Sequence, residues 1–562
     1  MITKNIKEKI ISSSPYMCFL LLAILLYARC FYGFDWSDEA FYAAVPYRFF
    51  LGDPVFLSSW DTNQTSSIIL VPLVALYVLV KGNTVGILLF MRIVYTTVKV
   101  AIAIFSFRVL KKYIPQWAAI VASSFFLLSY YCIHAFSYNS IPMPCLTAAI
   151  LFLLTETKGA AKQARYFLSG LFTAIAVLAY PTMIAVIPCF LVYLLCDWKF
   201  NKNTGFRDAV WYTIGGFTVL FVFLVFVHMN SSISNFIENF HFVFQDPEHT
   251  SIFSVQKYLD GFYSMIGDFP GVLVLTVITV FAFGYSLLRK KKESRKSLDI
   301  ILSVISFGMA IYILYINSND HYTNQMALIG VIFFPMLFFL SGWRFHFSFL
   351  FYFVGLSAAF SLGIMTNNSN AAEMSAYYYL LCLVATIIYI FQCIPMTVSI
   401  RRATVFPLVM LAAVLFYFNT TEVYRDNPLS SLNTMLLDGP AAGLITTADK
   451  AQKYGVIINS IDSTIPEDGY ILYIRLLPFG YLHGSMRPAA PRLWRTNLNY
   501  DGFQEYYSIL PERKPSVIYI VKNDYGLYQG AELVWSEYML ELVENGNYQI
   551  YETECAVIYL RL

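Results

Sequence analysis

Long apolar stretches separated by short polar connectors dominate the first three quarters of the chain. Most of these stretches are long enough to cross the ~30 Å hydrocarbon core of a bilayer. They therefore predict a mainly α-helical, polytopic membrane bundle of about thirteen transmembrane helices. The predicted spans are residues 15–34, 85–107, 117–133, 141–154, 166–179, 182–196, 209–228, 271–288, 298–316, 327–340, 347–365, 377–395 and 404–418.

One further apolar stretch, residues 67–80, is predicted to lie in the membrane interface rather than to cross. If it crossed, the basic cluster Arg108, Lys111 and Lys112 would face the outside, against the positive-inside rule. With this stretch left at the interface, the basic connectors fall on the cytoplasmic side. The rule then predicts an integral, multi-pass protein with a cytoplasmic N-terminus and an extracytoplasmic C-terminus.

The pattern changes after residue 418, where charges, glycines and prolines return and apolar runs shrink to strand length. Strands are predicted at 470–474, 517–521, 549–552 and 556–560, with helices near 447–460 and 531–544. Alternating strands and helices are typical of an α/β domain. The sequence thus predicts a transmembrane domain at 1–418 and a small extracytoplasmic α/β domain at 419–562.

Composition excludes a soluble globular protein, because only 13% of residues are charged, against about 25% in soluble domains. The net charge of +3 comes from basic clusters between spans, so no nucleic-acid partner is indicated. Eight of the nine cysteines lie in or beside apolar spans, which does not suggest a disulfide framework. No nucleotide-binding or zinc-binding motif is present.

The loop after the first span carries three carboxylates within five positions, Asp35, Asp38 and Glu39. A carboxylate at a membrane surface can accept a proton from a hydroxyl, bind a cation, or be solvated. A helix is predicted over residues 40–50, so Asp38 could instead cap its N-terminus. Because Asp38 and Glu39 are neighbours on one turn, they cannot both point at one atom. We therefore expect one to act as a base and the other to orient the site.

Arg92 and Lys99 lie seven residues apart on one face of an otherwise apolar span. Charges at this depth are costly and normally point into a bundle or a polar cavity. A guanidinium matches phosphate oxygens in a fork, which makes Arg92 a candidate for contact with an anionic ligand. Snorkelling and a structural ion pair are the alternatives for both residues.

Four other polar residues are weaker candidates for substrate binding. Asp61 and Gln64 precede the interfacial stretch and could line the same cavity. Asn139 stands just before a predicted helix start, where capping is the competing role. His321 follows Asp320 in a predicted outer loop, where it could serve catalysis or a metal but could equally be solvated.

The first loop resembles that of the GT-C membrane glycosyltransferases, in particular the protein O-mannosyltransferases and the lipid A aminoarabinose transferases. The resemblance rests on Asp38-Glu39 after the first span, the aromatic Tyr42, and the run Tyr47-Arg48-Phe49-Phe50-Leu51-Gly52-Asp53. The interfacial stretch, Arg92 at the start of the second span and the outer C-terminal domain fit the same architecture.

This resemblance implies a glycosyltransferase that moves a sugar from a polyprenyl-phosphate donor to an extracytoplasmic glycan, lipid or protein, in a bacterial plasma membrane. It implies that Asp38 is the catalytic base, that Glu39 helps to organise the site, and that Arg92 faces the lipid phosphate. The sequence departs from the family at residues 63–67, which replace a basic-Pro-Pro-Leu element, and at Tyr138-Asn139, where many relatives carry an acid. We therefore expect transfer without a metal or other cofactor.

The alternative is a transporter or flippase for lipid-linked sugars, in which the same charges bind without reacting. Such a transporter is expected to show inverted repeats and helices broken at mid-membrane. No internal duplication is evident, and the acids cluster at one surface. A purely structural subunit would leave Arg92 and Lys99 unexplained.

Overall fold

The computed structural model describes residues 2–129, 133–157, 159–201, 205–244, 327–340, 345–365, 374–394, 398–475, 477–494, 500–525 and 537–562, with a few isolated positions between 255 and 277. This part of the chain is mainly helical. Its α-helices are α1 (Ile2–Arg29), α2 (Asp38–Phe50), α3 (Gln64–Lys81), α4 (Ile87–Leu110), α5 (Gln116–Leu128), α6 (Pro142–Leu154), α7 (Ala160–Ala179), α8 (Ile187–Cys196), α9 (Phe206–Asn230), α10 (Ile233–Asn239), α11 (Leu328–Leu340), α12 (Ser348–Met365), α13 (Tyr379–Cys393), α14 (Val398–Thr421), α15 (Ala448–Thr464), α16 (Tyr500–Ile509) and α17 (Glu537–Asn545).

Apolar helices occupy the predicted spans, apart from 271–288 and 298–316, of which the structure describes only residue 277. Five helical segments in the described part of the chain are long and apolar enough to cross a membrane. They are Gln64–Lys81, Ile87–Leu110, Pro181–Lys199, Phe206–Asn230 and Ala376–Cys393. Shorter apolar helices include Pro15–Arg29, Gln116–Leu128, Pro142–Leu154, Ser348–Ile364 and Leu408–Thr421.

Helix α3 is longer than the sequence indicated, with 18 residues and a length of about 27 Å. Length alone would therefore allow it to cross a bilayer. Its two flanks nevertheless contact the same C-terminal part of the chain: the Asp61 carboxylate accepts from the Leu493 amide at 3.3 Å, and the Thr84 hydroxyl donates to the Leu482 carbonyl at 2.5 Å. These contacts favour the interfacial placement.

Two glycines allow α7 and α9 to pack backbone against backbone. A Cβ at Gly170 would overlap the Tyr212 carbonyl, and a Cβ at Gly215 would overlap the Phe167 carbonyl. Close approach between helices in a membrane gains van der Waals contact that lipid does not provide, which is why small residues occupy such positions.

The C-terminal part (residues 422–562) contains a five-stranded mixed sheet. Its strands are β3 (Tyr470–Ile474), β4 (Arg487–Pro488), β5 (Val517–Val521), β6 (Tyr548–Glu552) and β7 (Ala556–Arg561). Their order across the sheet is β4-β3-β5-β7-β6. Strands β4, β3 and β5 are parallel, while β7 is antiparallel to β5 and β6. A separate two-stranded hairpin pairs β1 (Thr434–Met435) with β2 (Ile445–Thr446).

A buried ion network joins the C-terminal part to the loop after α2. The Asp53 carboxylate accepts from Arg48 Nε at 2.7 Å and from Arg513 Nη1 and Nη2 at 2.7 and 2.9 Å. Burial raises the pKa of Asp53, but the two guanidinium groups outweigh that effect and hold it below its usual value. Arg48 and Asp53 belong to the run Tyr47–Asp53 of the first loop (residues 30–86). This run therefore links the first loop to the C-terminal part.

Candidate functional site

The first loop enters α2 through a turn that Asp35 stabilises. Its Oδ1 accepts from the Ser37 hydroxyl at 2.5 Å and the Ser37 amide at 3.1 Å, and its Oδ2 accepts from the Glu39 amide at 3.1 Å. The side chain of Ser37, which occupies the N-cap position, makes no capping bond. The capping role considered for Asp38 therefore belongs to Asp35, one of the other two carboxylates.

The adjacent carboxylates of Asp38 and Glu39 diverge, as their neighbouring places on one helical turn require. Glu39 is 2% exposed, and its two oxygens accept from Arg92 Nε and Nη2 at 2.5 and 2.6 Å. Asp38 points elsewhere and keeps 15% of its side chain exposed. This geometry does not support a catalytic role for Glu39, and it leaves Asp38 as the accessible carboxylate of the pair.

The Arg92 guanidinium donates four hydrogen bonds to protein groups. Besides Glu39, its Nη1 donates to the carbonyls of Cys30 at 2.9 Å and Tyr32 at 3.0 Å. Four of the five N–H groups of the guanidinium are thereby used. Arg92 thus ties α4 to α2 and to the end of α1. This arrangement matches the structural ion pair considered above, and it gives no support to the predicted contact with a lipid phosphate.

Asp38 meets residues from the far end of the chain. Its Oδ2 accepts from the Tyr424 hydroxyl at 2.7 Å and lies 3.1 Å from Arg425 Nη1. Arg425 also donates to the Ser37 hydroxyl at 2.6 Å, and its guanidinium packs against the rings of Tyr424 and Trp494, with centroids 4.9 and 5.5 Å away. The accessible carboxylate is therefore lined by a hydroxyl, a cation and an aromatic ring.

The segment that carries these partners directly follows α14 and is fixed in place. Arg425 adopts a backbone φ of +52°, a left-handed conformation that bulky residues rarely adopt. The Lys450 ammonium supports it by donating to the Arg425 carbonyl at 2.9 Å and the Phe34 carbonyl at 2.6 Å. Asp426 adds a bond from the Phe34 amide at 2.7 Å. The strain is thus balanced by contacts between this segment and the first loop.

Sequence reasoning missed Tyr424 and Arg425, although a signal for them exists. They lie in the run Glu422-Val423-Tyr424-Arg425-Asp426, which returns charge to the chain just after the last apolar helix. The first loop does the same after the first apolar helix. Under the predicted topology both runs emerge on one side of the membrane, so they could have been paired from the sequence.

Tyr42 lies one turn after Asp38 on α2 and begins a row of aromatic rings. Its ring meets Tyr138 edge-on at 5.6 Å, and Tyr138 stacks on Tyr180 at 5.6 Å. The predicted site residue Asn139 is buried beside this row, and its carbonyl accepts from the Tyr378 hydroxyl at 2.8 Å. Helix α6 begins at Pro142 with Ile141 at the cap position, so the capping role considered for Asn139 is wrong.

Lys99 is buried two turns beyond Arg92 on α4, at 6% exposure. Its ammonium donates to the Ser129 carbonyl at 2.5 Å and lies 5.6 Å from the centre of the Tyr95 ring. Among the residues that the structure describes, no carboxylate pairs with it. Within the described residues its partners are thus a carbonyl and a ring, neither of which neutralises a positive charge.

Asp61 and Gln64 are buried and make hydrogen bonds within the first loop. Gln64 accepts from the Phe56 amide and donates to the Ser59 carbonyl, both at 2.8 Å. Asp61 accepts from the Ser59 hydroxyl at 3.0 Å and, as described above, from the Leu493 amide. Burial raises the pKa of Asp61 to about 6, against the lowering effect of nearby arginines. Neither residue has contacts that indicate substrate binding.

The remaining predicted site residue, His321, lies outside the described residues. Within the described ranges, no group of three or more His, Cys, Asp or Glu side chains could hold a metal ion. The expectation of metal-independent chemistry therefore stays a prediction.

Comparison with known proteins gives distant structural neighbours. No protein-family model matches the sequence, and no curated protein matches it. ArnT from Cupriavidus metallidurans in the apo state aligns over 98% of both chains at 10% identity and a TM-score of 0.42. The same protein bound to undecaprenyl phosphate aligns over 98% of both chains, also at 10% identity, with a TM-score of 0.39.

The archaeal oligosaccharyltransferase AglB from Archaeoglobus fulgidus, in complex with an inhibitory peptide and a dolichol-phosphate, aligns over 98% of this chain and 75% of its own. Its identity is 12% and its TM-score 0.47.

Proposed function

We propose that the protein is a membrane glycosyltransferase, with Asp38 as the base that activates the acceptor hydroxyl. The observation that carries this proposal is that the three carboxylates of the first loop make different contacts. Asp35 stabilises the turn and Glu39 binds Arg92, whereas Asp38 keeps 15% of its side chain exposed beside a hydroxyl and a cation.

The surroundings of Asp38 suit proton transfer. A base must be ionised, and the ion pair with Arg425 involves the carboxylate form. Tyr424 and Arg425 reach the same oxygen, which restricts the rotation of the carboxylate. A base held in this way contributes roughly 10²–10⁴-fold to a rate when it lies within hydrogen-bond reach of its proton.

The donor is proposed to be a polyprenyl-phosphate-linked sugar, in keeping with the resemblance of the first-loop motif. Transfer requires positive charge near the departing phosphate. Arg92 is occupied by Glu39, so we assign this role to Lys99, a buried ammonium with no described carboxylate partner. The acceptor would then approach Asp38 from the side of the C-terminal part, which supplies Trp494.

Turnover by reconstituted protein tests the proposal. Liposomes would carry the full chain with a panel of undecaprenyl- and dolichyl-phosphate sugars, and a membrane extract would supply acceptors. The released polyprenyl phosphate measures turnover. We expect Asp38→Asn to lower turnover by about 10² or more without changing the thermal unfolding temperature. Asp449→Asn is the matched control, because its side chain is 78% exposed, and it should be neutral.

Two outcomes would overturn the proposal. One is full turnover by Asp38→Asn. The other is movement of the intact lipid-linked sugar across the bilayer without cleavage, which would favour the transporter alternative.

A further inference from the structure

The β1–β2 hairpin of the C-terminal part lies where two helices end or begin. Ile445 pairs with the end of α1, donating to the Phe31 carbonyl at 2.7 Å and accepting from the Gly33 amide at 2.8 Å. The hairpin loop meets the start of α4, where the Pro440 carbonyl accepts from the Leu88 amide at 3.2 Å. If α1 and α4 cross a bilayer, as their apolar sequences predict, the hairpin lies at the level where they leave it.

Helix α1 presents an exposed apolar face that continues to this hairpin. The face comprises Met17, Leu20, Leu21, Ile24 and Leu25, which are 47–58% exposed. Steps of three and four residues place these five side chains along one side of the helix. Phe31, just after the helix, is 37% exposed. An uninterrupted apolar face of this kind on a membrane helix is a lipid-facing surface.

The hairpin and the end of α3 extend the apolar surface beyond the helices. Met435 is 50% exposed and Leu437 is 85% exposed, while Leu436 between them is buried, so the two face outward together. On α3, Leu76, Leu79 and Val80 are 57, 76 and 81% exposed. The two groups are neighbours, since the Gly86 amide, just after α3, donates to the Gly439 carbonyl of the hairpin loop at 3.0 Å.

We propose that the β1–β2 hairpin and the last turns of α3 insert into the outer leaflet and anchor the C-terminal part to the membrane. Large apolar side chains grouped on an exposed surface mark an interaction site. Continuity with the apolar face of α1 identifies lipid as the partner. The exposed Lys81 and Asp438 beside the patch would lie at the level of the polar headgroups. Insertion of this kind typically reaches ~5–10 Å into the headgroup and acyl boundary.

This anchor would act close to the Asp38 site. Strand β2 also contains Thr446, whose hydroxyl donates to Asp426 at 2.7 Å, next to Arg425. Lipid contact at the hairpin would therefore hold the segment that positions Asp38. The anchor itself does not depend on the proposed catalytic activity, because it requires only that the helices span a bilayer.

A depth measurement tests the anchor with a control of equal exposure. A genetically encoded environment-sensitive fluorescent amino acid would replace Leu437 in one variant and Leu562 in another, since both side chains are 85% exposed. The full chain would be placed in phosphatidylcholine–phosphatidylglycerol nanodiscs, one copy per disc, with nitroxide-labelled lipids as quenchers at a shallow acyl position.

We expect the probe at residue 437 to show blue-shifted emission and severalfold stronger lipid quenching than the probe at residue 562. Equal, water-like emission and equal quenching at both positions would overturn the proposal. A blue shift at 437 only in discs that hold two copies would also overturn it, because a second chain would then be the occupant of the patch.

Discussion

The Glu39–Arg92 pair offers the sharpest test of how the site is built. The sequence suggested that Arg92 binds a phosphate, whereas in the structure its guanidinium pairs with the Glu39 carboxylate. Arg92→Met would remove all four hydrogen bonds of the guanidinium and leave the Glu39 carboxylate buried at 2% exposure. Removing one partner of a buried pair costs about 3–5 kcal/mol, because the remaining charge is not compensated.

A double variant, Glu39→Met with Arg92→Met, distinguishes a structural ion pair from a ligand-binding site. In Glu39→Met with Arg92→Met, the buried charge is gone, and replacing a whole buried pair by apolar residues is often close to neutral. We therefore expect the double variant to be more stable than Arg92→Met alone, with a coupling energy of about 3 kcal/mol or more between the two positions. Thermal and denaturant unfolding of the purified chain in detergent measures both values.

A ligand site would behave differently in the same experiment. If Arg92→Met were as stable as the wild type and bound a polyprenyl phosphate more weakly, the structural role of the ion pair would be refuted and the phosphate-binding role would be favoured. Additive losses in the double variant would show that the two side chains do not act as a pair.

Two further predictions concern the scaffold around the site. The raised pKa of Asp61, about 6, means that the folded state binds this proton more tightly than the unfolded state does. The stability that this proton contributes is present below about pH 4 and is lost as pH rises through 6. Because Asn cannot ionise, Asp61→Asn should raise the free energy of unfolding at pH 7–8 by about 2–3 kcal/mol. Equal stability of variant and parent at pH 8 would contradict this. At the contact between α7 and α9, Gly215→Ala should lower the free energy of unfolding by about 1–3 kcal/mol, because its Cβ would overlap the Phe167 carbonyl. Gly216→Ala should not lower it, because its Cβ would lie 3.9 Å from the nearest atom. Equal unfolding temperatures for these two variants would refute backbone contact between α7 and α9.

The sequence by itself determined the helical architecture of the described part of the chain. In a bilayer every backbone N–H and C=O group must be satisfied within the segment, so a sufficiently long apolar run has little choice but to form a helix. The strands predicted at 470–474 and 517–521 are also present, because short apolar runs bounded by polar turns leave a similarly small choice.

Only the tertiary structure decided what each charged residue does. Asp35, Asp38 and Glu39 look alike in the sequence, but one stabilises a turn, one binds Arg92 and one meets Tyr424, which is 386 residues away. The physical reason is that a charge near a membrane is stabilised by the partner that folding brings to it. Such partners lie far apart in the chain, and hydrophobic periodicity carries no information about them.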